Sequence, residues 1–203
     1  PRQTRLFRPS ESVLLVQEEP EPRRDEGDLY AQLVGTLYHE AMQRISEEGM
    51  TRWADAGRSR RAAMAAGLRR RAMPEPLVMP AVDRVLQLLE RTLARDTGRW
   101  LVSPKPWARS EYALSAFADG RWTSAVIDRC FEDEAGQLWV IDYKTAAYPV
   151  APDQRATYLE NGTQKYRQQL LVYRNLMLRL RPHAQVTAAI YFAECDRLIR
   201  IAE

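Results

Sequence analysis

The sequence predicts an α/β fold in which N-terminal helices precede three antiparallel strands, a long helix and two further strands. Changes of hydrophobic period support this prediction. Apolar residues recur at helical spacing as far as Gly98, and from Ala108 they alternate at the period of two that is typical of strands. Helical spacing returns from about Thr163 to Leu180, before two short apolar runs close the sequence. Together these changes indicate a mixed sheet that packs against helices.

The chain is expected to divide into a lead-in and one domain. Residues 1–27 contain a short apolar run at 13–16, compatible with a strand, and then the polar run E-E-P-E-P-R-R-D-E-G, which is typical of a linker. Residues 28–203 are then expected to form a single domain. It would have a helical part at 28–98 and an α/β core at 105–203.

Three helices are predicted in the helical part. Asp28 is expected to cap the first helix, which continues to about Glu48. Residues 51–72 form the second, which is rich in arginine. Pro80 is expected to open the third helix, because proline is favoured in the first turn, and this helix ends near Gly98.

Turn signals divide the α/β core into strands. D-G at 119–120 and E-A-G at 134–136 are turn sequences between runs that alternate apolar and polar residues. The five strands are predicted at 110–117, 122–131, 137–144, 186–193 and 197–201.

Composition is that of an ordinary globular domain, with 45% hydrophobic and 28% charged residues. The net charge of +3 is compatible with nucleic-acid binding but does not by itself indicate it. No apolar run approaches the length that crosses a bilayer, and no signal peptide opens the sequence. Cys130 and Cys195 fit no metal-binding spacing, so we expect a reducing, cytoplasmic environment.

The third predicted strand ends in V-I-D-Y-K-T-A, which places Asp142 and Lys144 on one face. If E-A-G is a three-residue loop with a left-handed glycine, Asp133 faces Gln137, and counting back puts Asp128 opposite Asp142. A four-residue loop would shift this pairing by one residue.

Two carboxylates that face each other across strands repel, and burial increases the cost. A divalent cation with oxygen ligands is the natural compensation, and Lys144 would lie beside it. The alternative is a set of ordinary ion pairs, with Asp128 bound to Arg129 or another arginine and Asp142 to Lys144. The second acid, which enters from the partner strand, favours the metal site.

Other polar side chains are candidates for the same site. Gly35 and His39 are four residues apart on the first helix and share a face, as Gln169 and Tyr173 do on the long helix. Glu111 is either a supporting acid or simply an exposed one. Each of these residues also has an ordinary interpretation as a core, boundary or surface residue.

Four motifs in order resemble the RecB-type nuclease module of the PD-(D/E)xK superfamily, as found at the C-terminus of RecB/AddA-like (UvrD-family) helicase–nucleases. They are G-T-L-Y-H-E, V-I-D-R, V-I-D-Y-K-T and Q-Q-L-L-V-Y, within about residues 29–193. The resemblance implies a restriction-endonuclease-like fold. Ala125 stands where the family often has glycine.

The resemblance also implies roles for individual residues. His39, Asp128 and Asp142 would bind Mg²⁺, or Mn²⁺, together with the backbone carbonyl of Tyr143. Lys144 would act with the two aspartates in catalysis, by positioning or activating the attacking water or by stabilising charge on the phosphate. Gln169 and Tyr173 match the Q-x-x-x-Y motif that supports the site and DNA. The cysteines that hold an iron–sulfur cluster in some relatives are absent, so no cluster is predicted.

The predicted function is metal-dependent, sequence-nonspecific DNA hydrolysis, expected to be exonucleolytic, in recombination and repair. Arginines of the second predicted helix either contact DNA phosphates or form a solvated face. They are Arg58, Arg60, Arg61, Arg69, Arg70 and Arg71.

The expected partners are single-stranded DNA or DNA ends, a helicase domain in the same polypeptide, and a second helicase–nuclease subunit. The sequence contains no P-loop motif and opens on proline, which favours a nuclease domain with a helicase portion before it. The alternatives are a stand-alone phage-type exonuclease of the same superfamily and a non-catalytic DNA-binding or docking module.

Overall fold

The computed structural model describes residues 13–15, 26–118, 120–149 and 151–202. Five helices of the described residues come before the main strands, and a sixth lies between the fourth and fifth strands. The helices are α1 (Glu26–Glu48), α2 (Met50–Asp55), α3 (Gly57–Arg70), α4 (Glu75–Leu93), α5 (Asp96–Val102) and α6 (Arg155–Leu180), the last preceded by a 3₁₀ turn (Pro152–Gln154). The strands are β1 (Val13–Leu15), β2 (Trp107–Ala118), β3 (Arg121–Glu132), β4 (Leu138–Lys144), β5 (Val186–Phe192) and β6 (Arg197–Arg200).

The six strands form one mixed sheet, which confirms the predicted α/β class and is consistent with a restriction-endonuclease-like fold. β3 pairs antiparallel with β2 along one edge. Along its other edge it pairs antiparallel with β4 and parallel with the short β1. β4 and β5 run parallel, joined by the α6 crossover, and β6 is antiparallel to β5. β1 lies in the stretch predicted as a lead-in, yet it pairs with β3.

Helices cover both faces of the sheet. One buried cluster packs α1 to α5 against Trp139, Ile141 and Tyr143, and the other packs α6 against Leu138 and Val140. The alternation along β4 therefore sends its odd-numbered residues toward the helical part. By the same alternation, Asp142 and Lys144 lie on the α6 side.

The helix boundaries differ from the predictions in the helical part. α1 begins at Glu26, so Asp28 lies inside it and is not its cap. The predicted helix at 51–72 is divided into α2 and α3 at Ala56. α4 begins at Glu75, because Val78 is fully buried and packing in the core extends the helix ahead of Pro80, which lies inside it.

The end of the helical part and the start of α6 also differ. The third helix was predicted to end near Gly98, but α4 ends at Leu93 and Gly98 lies inside α5. α6 begins eight residues before Thr163, at Arg155. Glycine at position 162 lets this part of the helix pack close to Phe192, because the Cβ of any other residue there would lie only 3.0 Å from the Phe192 ring.

Among the described residues, none of the helices combines the length and the apolar character needed to cross a bilayer.

The two cysteines are free thiols in different environments, and we expect a disulfide reagent such as DTNB at pH 8 to modify Cys195 alone. Cys130 is fully buried, and burial raises the pKa of its thiol to about 12, so it is both inaccessible and protonated at pH 8. Cys195 is only partly buried. One reactive thiol in the native protein and two in guanidinium would support this, whereas two in the native protein would contradict it.

Candidate active site

A three-residue loop joins β3 to β4, as one of the two predicted registers requires. Gly136 has a φ of 77°, the left-handed conformation that favours glycine, and its N–H donates to the Asp133 carbonyl at 3.0 Å. The N–H of Asp133 donates to the Gln137 carbonyl at 2.9 Å. The four-residue alternative is therefore wrong.

This register places Asp128 opposite Asp142. Arg129 and Ile141 form the last pair of the ladder, and one more step along both strands reaches the two aspartates. Backbone pairing stops there, because the N–H of Tyr143 donates instead to Oδ2 of Asp128 at 2.7 Å. Burial first, and then the charge of Asp142, raise the pKa of Asp128 well above its ordinary value.

His39 joins the two strands to α1. Its Nε2 lies 3.1 Å from the Tyr143 carbonyl, and its Nδ1 lies 3.6 Å from Oδ1 of Asp128. A carbonyl only accepts hydrogen bonds, so we assign the ring proton to Nε2, which leaves the lone pair of Nδ1 facing Asp128. Burial lowers the pKa of His39, which favours the neutral imidazole that binds metals.

Glu111 completes a cluster with His39 and Asp128. One potential ligand atom from each of the three residues lies within 4.8 Å of the other two. The strand pairs on either side of Glu111 place it across from Asp128, and its φ of 46° is left-handed. That conformation costs a residue with a side chain roughly 1–2 kcal/mol. Strain of this kind concentrates at functional sites.

The left-handed residue explains why the sequence offered Glu111 only as a supporting or exposed acid and did not place it in the cluster. Trp107 packs on the α6 side of the sheet, and strict alternation would then send Tyr112 and Leu114 to the other side. Both pack on the α6 side, so the strand changes phase between 107 and 112. The break of alternation in W-A-R-S-E-Y-A-L is visible in the sequence and was the available signal.

These residues suit a divalent cation. Carboxylate oxygens and an imidazole nitrogen are ligands for Mg²⁺ or Mn²⁺ and related metals. Asp142 is 2% exposed, and its Oδ2 atom lacks a well-aligned hydrogen bond among the described residues. Asp128 and Asp142 repel each other as carboxylates and the imidazole is neutral, so a bound cation would stabilise the charged form of both acids.

Lys144 stands on the same face as Asp142. Its Nζ lies 2.9 Å from Oδ2 of Asp142, a close ion pair rather than a well-aligned hydrogen bond, and 3.7 Å from the ring centroid of Tyr166. Burial alone would lower the pKa of Lys144, but the charges of Asp142 and Asp128 and the contact with Tyr166 outweigh it, so the pKa is raised. Lys144 is therefore an ammonium at neutral pH.

Gln169 and Tyr173 contact each other on α6. The Gln169 amide donates to the Tyr173 hydroxyl at 2.7 Å, and both residues line a small cavity of about 60 Å³ with Ala125. Burial, followed by the charges of Asp142 and Asp128, raises the pKa of Tyr173, which stays protonated. The pair thus lies beside the carboxylates.

The predicted DNA-contacting arginines are not part of this cluster. Arg69 forms two hydrogen bonds to Glu75, at 2.9 and 2.6 Å, and Arg71 is paired with Glu40. Arg70 lines a separate cavity beside α1. Their contact with DNA stays a prediction.

Arg129 is a buried residue whose importance the sequence did not reveal. It is 4% exposed and follows Asp128 on the opposite face of β3. Its guanidinium donates to the Leu101 carbonyl at 3.2 Å and to the hydroxyls of Ser46 and Ser110 at 3.2 and 3.1 Å. It therefore links α5, α1 and β2 next to the carboxylate site. Because these contacts join residues that are far apart in the sequence, only the tertiary structure reveals them.

Comparison with known protein families identifies a match over nearly the whole chain. A family model described as the PD-(D/E)XK nuclease superfamily matches residues 13–200, from β1 to the end of β6. No curated protein matches the chain. The matched region contains every residue of the site described above.

Proposed function

Because the chain belongs to the PD-(D/E)XK nuclease superfamily, we propose that it is a Mg²⁺-dependent deoxyribonuclease that hydrolyses phosphodiester bonds. The observation that carries this proposal is the His39–Glu111–Asp128 cluster beside the Asp142–Lys144 ion pair. The first group supplies metal ligands, and the second supplies a further buried carboxylate and a cation. Metal-dependent phosphodiester hydrolysis can use both kinds of group, the ligands to hold the metal and the cation to stabilise charge on the phosphate.

The metal-binding residues would be His39, Glu111, Asp128 and Asp142, with the carbonyl of Tyr143. That carbonyl already accepts from His39 and keeps a second lone pair for a cation. A bound divalent cation lowers the pKa of a water molecule and neutralises charge on the phosphate. The contact from the Tyr143 N–H to Asp128 holds this carboxylate in a fixed orientation before metal or substrate arrives.

Lys144 would stabilise negative charge on the phosphate in the transition state. As an ammonium paired with Asp142, it would face the phosphate as a positive charge. Asp142 on one side and the Tyr166 ring on the other restrict its position, so little reorganisation is needed when charge develops.

Gln169 and Tyr173 would support the site from α6, as donors toward a DNA backbone or toward the carboxylates. The Gln169 amide keeps one N–H that is not used for Tyr173. Contacts with the sugar–phosphate backbone would carry no base information, which agrees with sequence-nonspecific cleavage.

We further propose that the chain is the nuclease part of a bacterial, cytoplasmic helicase–nuclease of recombination and repair. In that role it would degrade DNA ends or unwound single strands exonucleolytically, supplied by a helicase domain in the same polypeptide and by a second subunit. The resemblance of the four motifs to RecB/AddA-like nuclease domains supports this context.

We expect Lys144→Ala to reduce the rate of Mg²⁺-dependent DNA cleavage by about 10²–10³-fold, the cost of removing one preorganised group that stabilises transition-state charge. The measurement is degradation of labelled single- and double-stranded DNA with Mg²⁺ or Mn²⁺ and with EDTA. Lys165→Ala is the matched control, because Lys165 lies on α6 with its Nζ 5.3 Å from the same Tyr166 ring and is exposed.

The control should cleave at the wild-type rate. Equal rates for Lys144→Ala and wild type would contradict the role of Lys144. Absence of cleavage by the wild-type chain with every divalent metal tested would favour the non-catalytic docking module instead.

A further inference from the structure

A basic groove lies between α1 and α3, outside the cluster of carboxylates. It encloses a cavity of about 440 Å³. We call it the α1–α3 groove, and the residues of its lining used here are Gln43, Arg44, Trp53, Arg60, Arg70 and Arg71.

The charge of the groove is not balanced by its own residues. Four arginines and two glutamates line it. Arg71 pairs with Glu40, and Glu47 accepts a hydrogen bond from the amide of Gln43 at 2.9 Å. Arg44 and Arg70, both exposed, have no ion-pair or hydrogen-bond partner within the part of the chain that the structure describes. Their guanidinium groups are therefore available to an anion.

A third arginine is held in place by an aromatic ring. The guanidinium carbon of Arg60 lies 3.6 Å from the ring centroid of Trp53, which is itself buried. This stacking orients the planar guanidinium before any ligand binds. Its Nη2 atom is buried and lacks a hydrogen-bond partner among the described residues. A buried donor without a partner is costly unless a ligand satisfies it.

The groove begins next to the proposed active site. Gln43 lines the groove and follows His39 by four residues, so the two side chains are neighbours on one face of α1. Four residues of helix span only about 6 Å along its axis. A chain of phosphates that leaves the site along α1 would therefore reach the arginines directly.

We infer that the α1–α3 groove binds the phosphates that neighbour the scissile phosphate on the same DNA strand, through Arg44, Arg60 and Arg70. The inference rests on the proposed nuclease function and adds the path of its substrate. It also gives Arg70 a role that its neighbours do not share, since Arg69 and Arg71 are already paired with Glu75 and Glu40. Binding through phosphates alone would be independent of sequence and strongly dependent on salt.

The test is the salt dependence of binding of a labelled single-stranded oligonucleotide to the whole chain, measured in EDTA. Each phosphate contact on a single strand contributes about 0.7 to the slope of log K against log [salt], so Arg44→Gln with Arg70→Gln should lower the slope by about 1.4. The matched control is Arg95→Gln with Arg179→Gln, which removes the same charge from exposed positions outside the groove. It should keep the wild-type slope.

Arg60→Lys tests the stacked guanidinium without changing charge. Loss of the stacking on Trp53 should weaken binding about two- to fivefold at fixed salt, the size of an exposed to partly buried cation–π contact. Wild-type affinity in this variant would contradict a role for the stacked guanidinium in binding the strand.

The outcomes separate the two proposals, because binding in EDTA does not depend on catalysis. A groove variant with the wild-type slope, or a control that lowers the slope equally, overturns the groove and leaves the nuclease proposal standing. Tighter binding of a mononucleotide than of the strand would also overturn it, by making the groove a nucleotide pocket. A wild-type chain that binds through the groove but cleaves nothing overturns the nuclease proposal alone.

Discussion

Asp142→Asn should abolish metal-dependent DNA cleavage, with a loss on the order of 10⁴ in rate, the scale seen when one member of a catalytic constellation is removed. The substitution keeps the shape of the side chain but replaces one carboxylate oxygen with an N–H donor. The side chain at position 142 would then carry no negative charge to attract the metal or Lys144. Because Asp142 is almost fully buried, no water can replace that lost ligand oxygen without rearrangement.

Binding of Mn²⁺, followed by calorimetry or electron paramagnetic resonance, gives a second measure that does not depend on turnover. We expect at least about tenfold weaker binding in Asp142→Asn, since each charged ligand contributes strongly to the affinity of an oxygen-rich site. The matched control is Glu134→Gln, which changes the same charge in the exposed β3–β4 loop of the same hairpin. Asp142→Asn protein that cleaves within tenfold of wild type would contradict the proposed site.

The pairing of Asp128 with Asp142 was predictable from the sequence because it depends on local rules. A glycine-terminated three-residue loop fixes the register, and the period of two in strands carries that register to both aspartates. The contact of His39 with Tyr143 joins residues 104 positions apart. It followed only from the resemblance of the motifs, since no local rule predicts it.

Glu111 marks the point where local rules fail. Sequence reasoning assumes that alternation continues unbroken along β2, whereas a left-handed residue at 111 changes which residues face inward. Strand pairing on both sides of Glu111 stabilises this strained conformation, and that pairing depends on the whole sheet. The sequence therefore suggested an acid near the site but not its place in the cluster.

Which of the arginines form ion pairs could not be predicted from the sequence either. Arg69, Arg70 and Arg71 are consecutive, and composition alone treats them alike. Their directions around α3 and its C-terminus differ, so Arg69 reaches Glu75, Arg71 reaches Glu40 on α1, and Arg70 stays unpaired among the described residues. Which arginine remains free depends on where acids from other elements lie.

Gly98→Ala should destabilise the protein by about 3 kcal/mol, near the upper end for overpacking a buried position. A Cβ at this position would lie 2.0 Å from the carbonyl oxygen of Thr92 and 2.6 Å from its Cγ2, distances that require α5 to move away from α4. Alanine is favoured over glycine in a helix by about 1 kcal/mol, which opposes this cost but does not cancel it. Thermal unfolding should shift down by roughly 6–12 °C for a chain of this size.

The same substitution should also affect the active site, because Thr92 contacts the helix that carries His39. Its buried hydroxyl lies 2.8 Å from that of Tyr38, the residue before His39, and the Tyr38 ring packs edge-on against Tyr143. Displacement of Thr92 would therefore disturb the helix that positions His39. Cleavage at a temperature where the variant is still folded should be slower than in the wild type.

Gly57→Ala is the matched control for Gly98→Ala. It makes the same change in another helix of the same part of the domain, at a position where a Cβ would meet no atom within 4 Å. Its stability should be unchanged or raised by up to about 1 kcal/mol, since alanine restricts the unfolded chain more than glycine does. Equal unfolding temperatures for the two variants would mean that α5 can move away from Thr92 at little cost. The close α4–α5 crossing would then not be what fixes the position of Tyr38 and, through it, of His39.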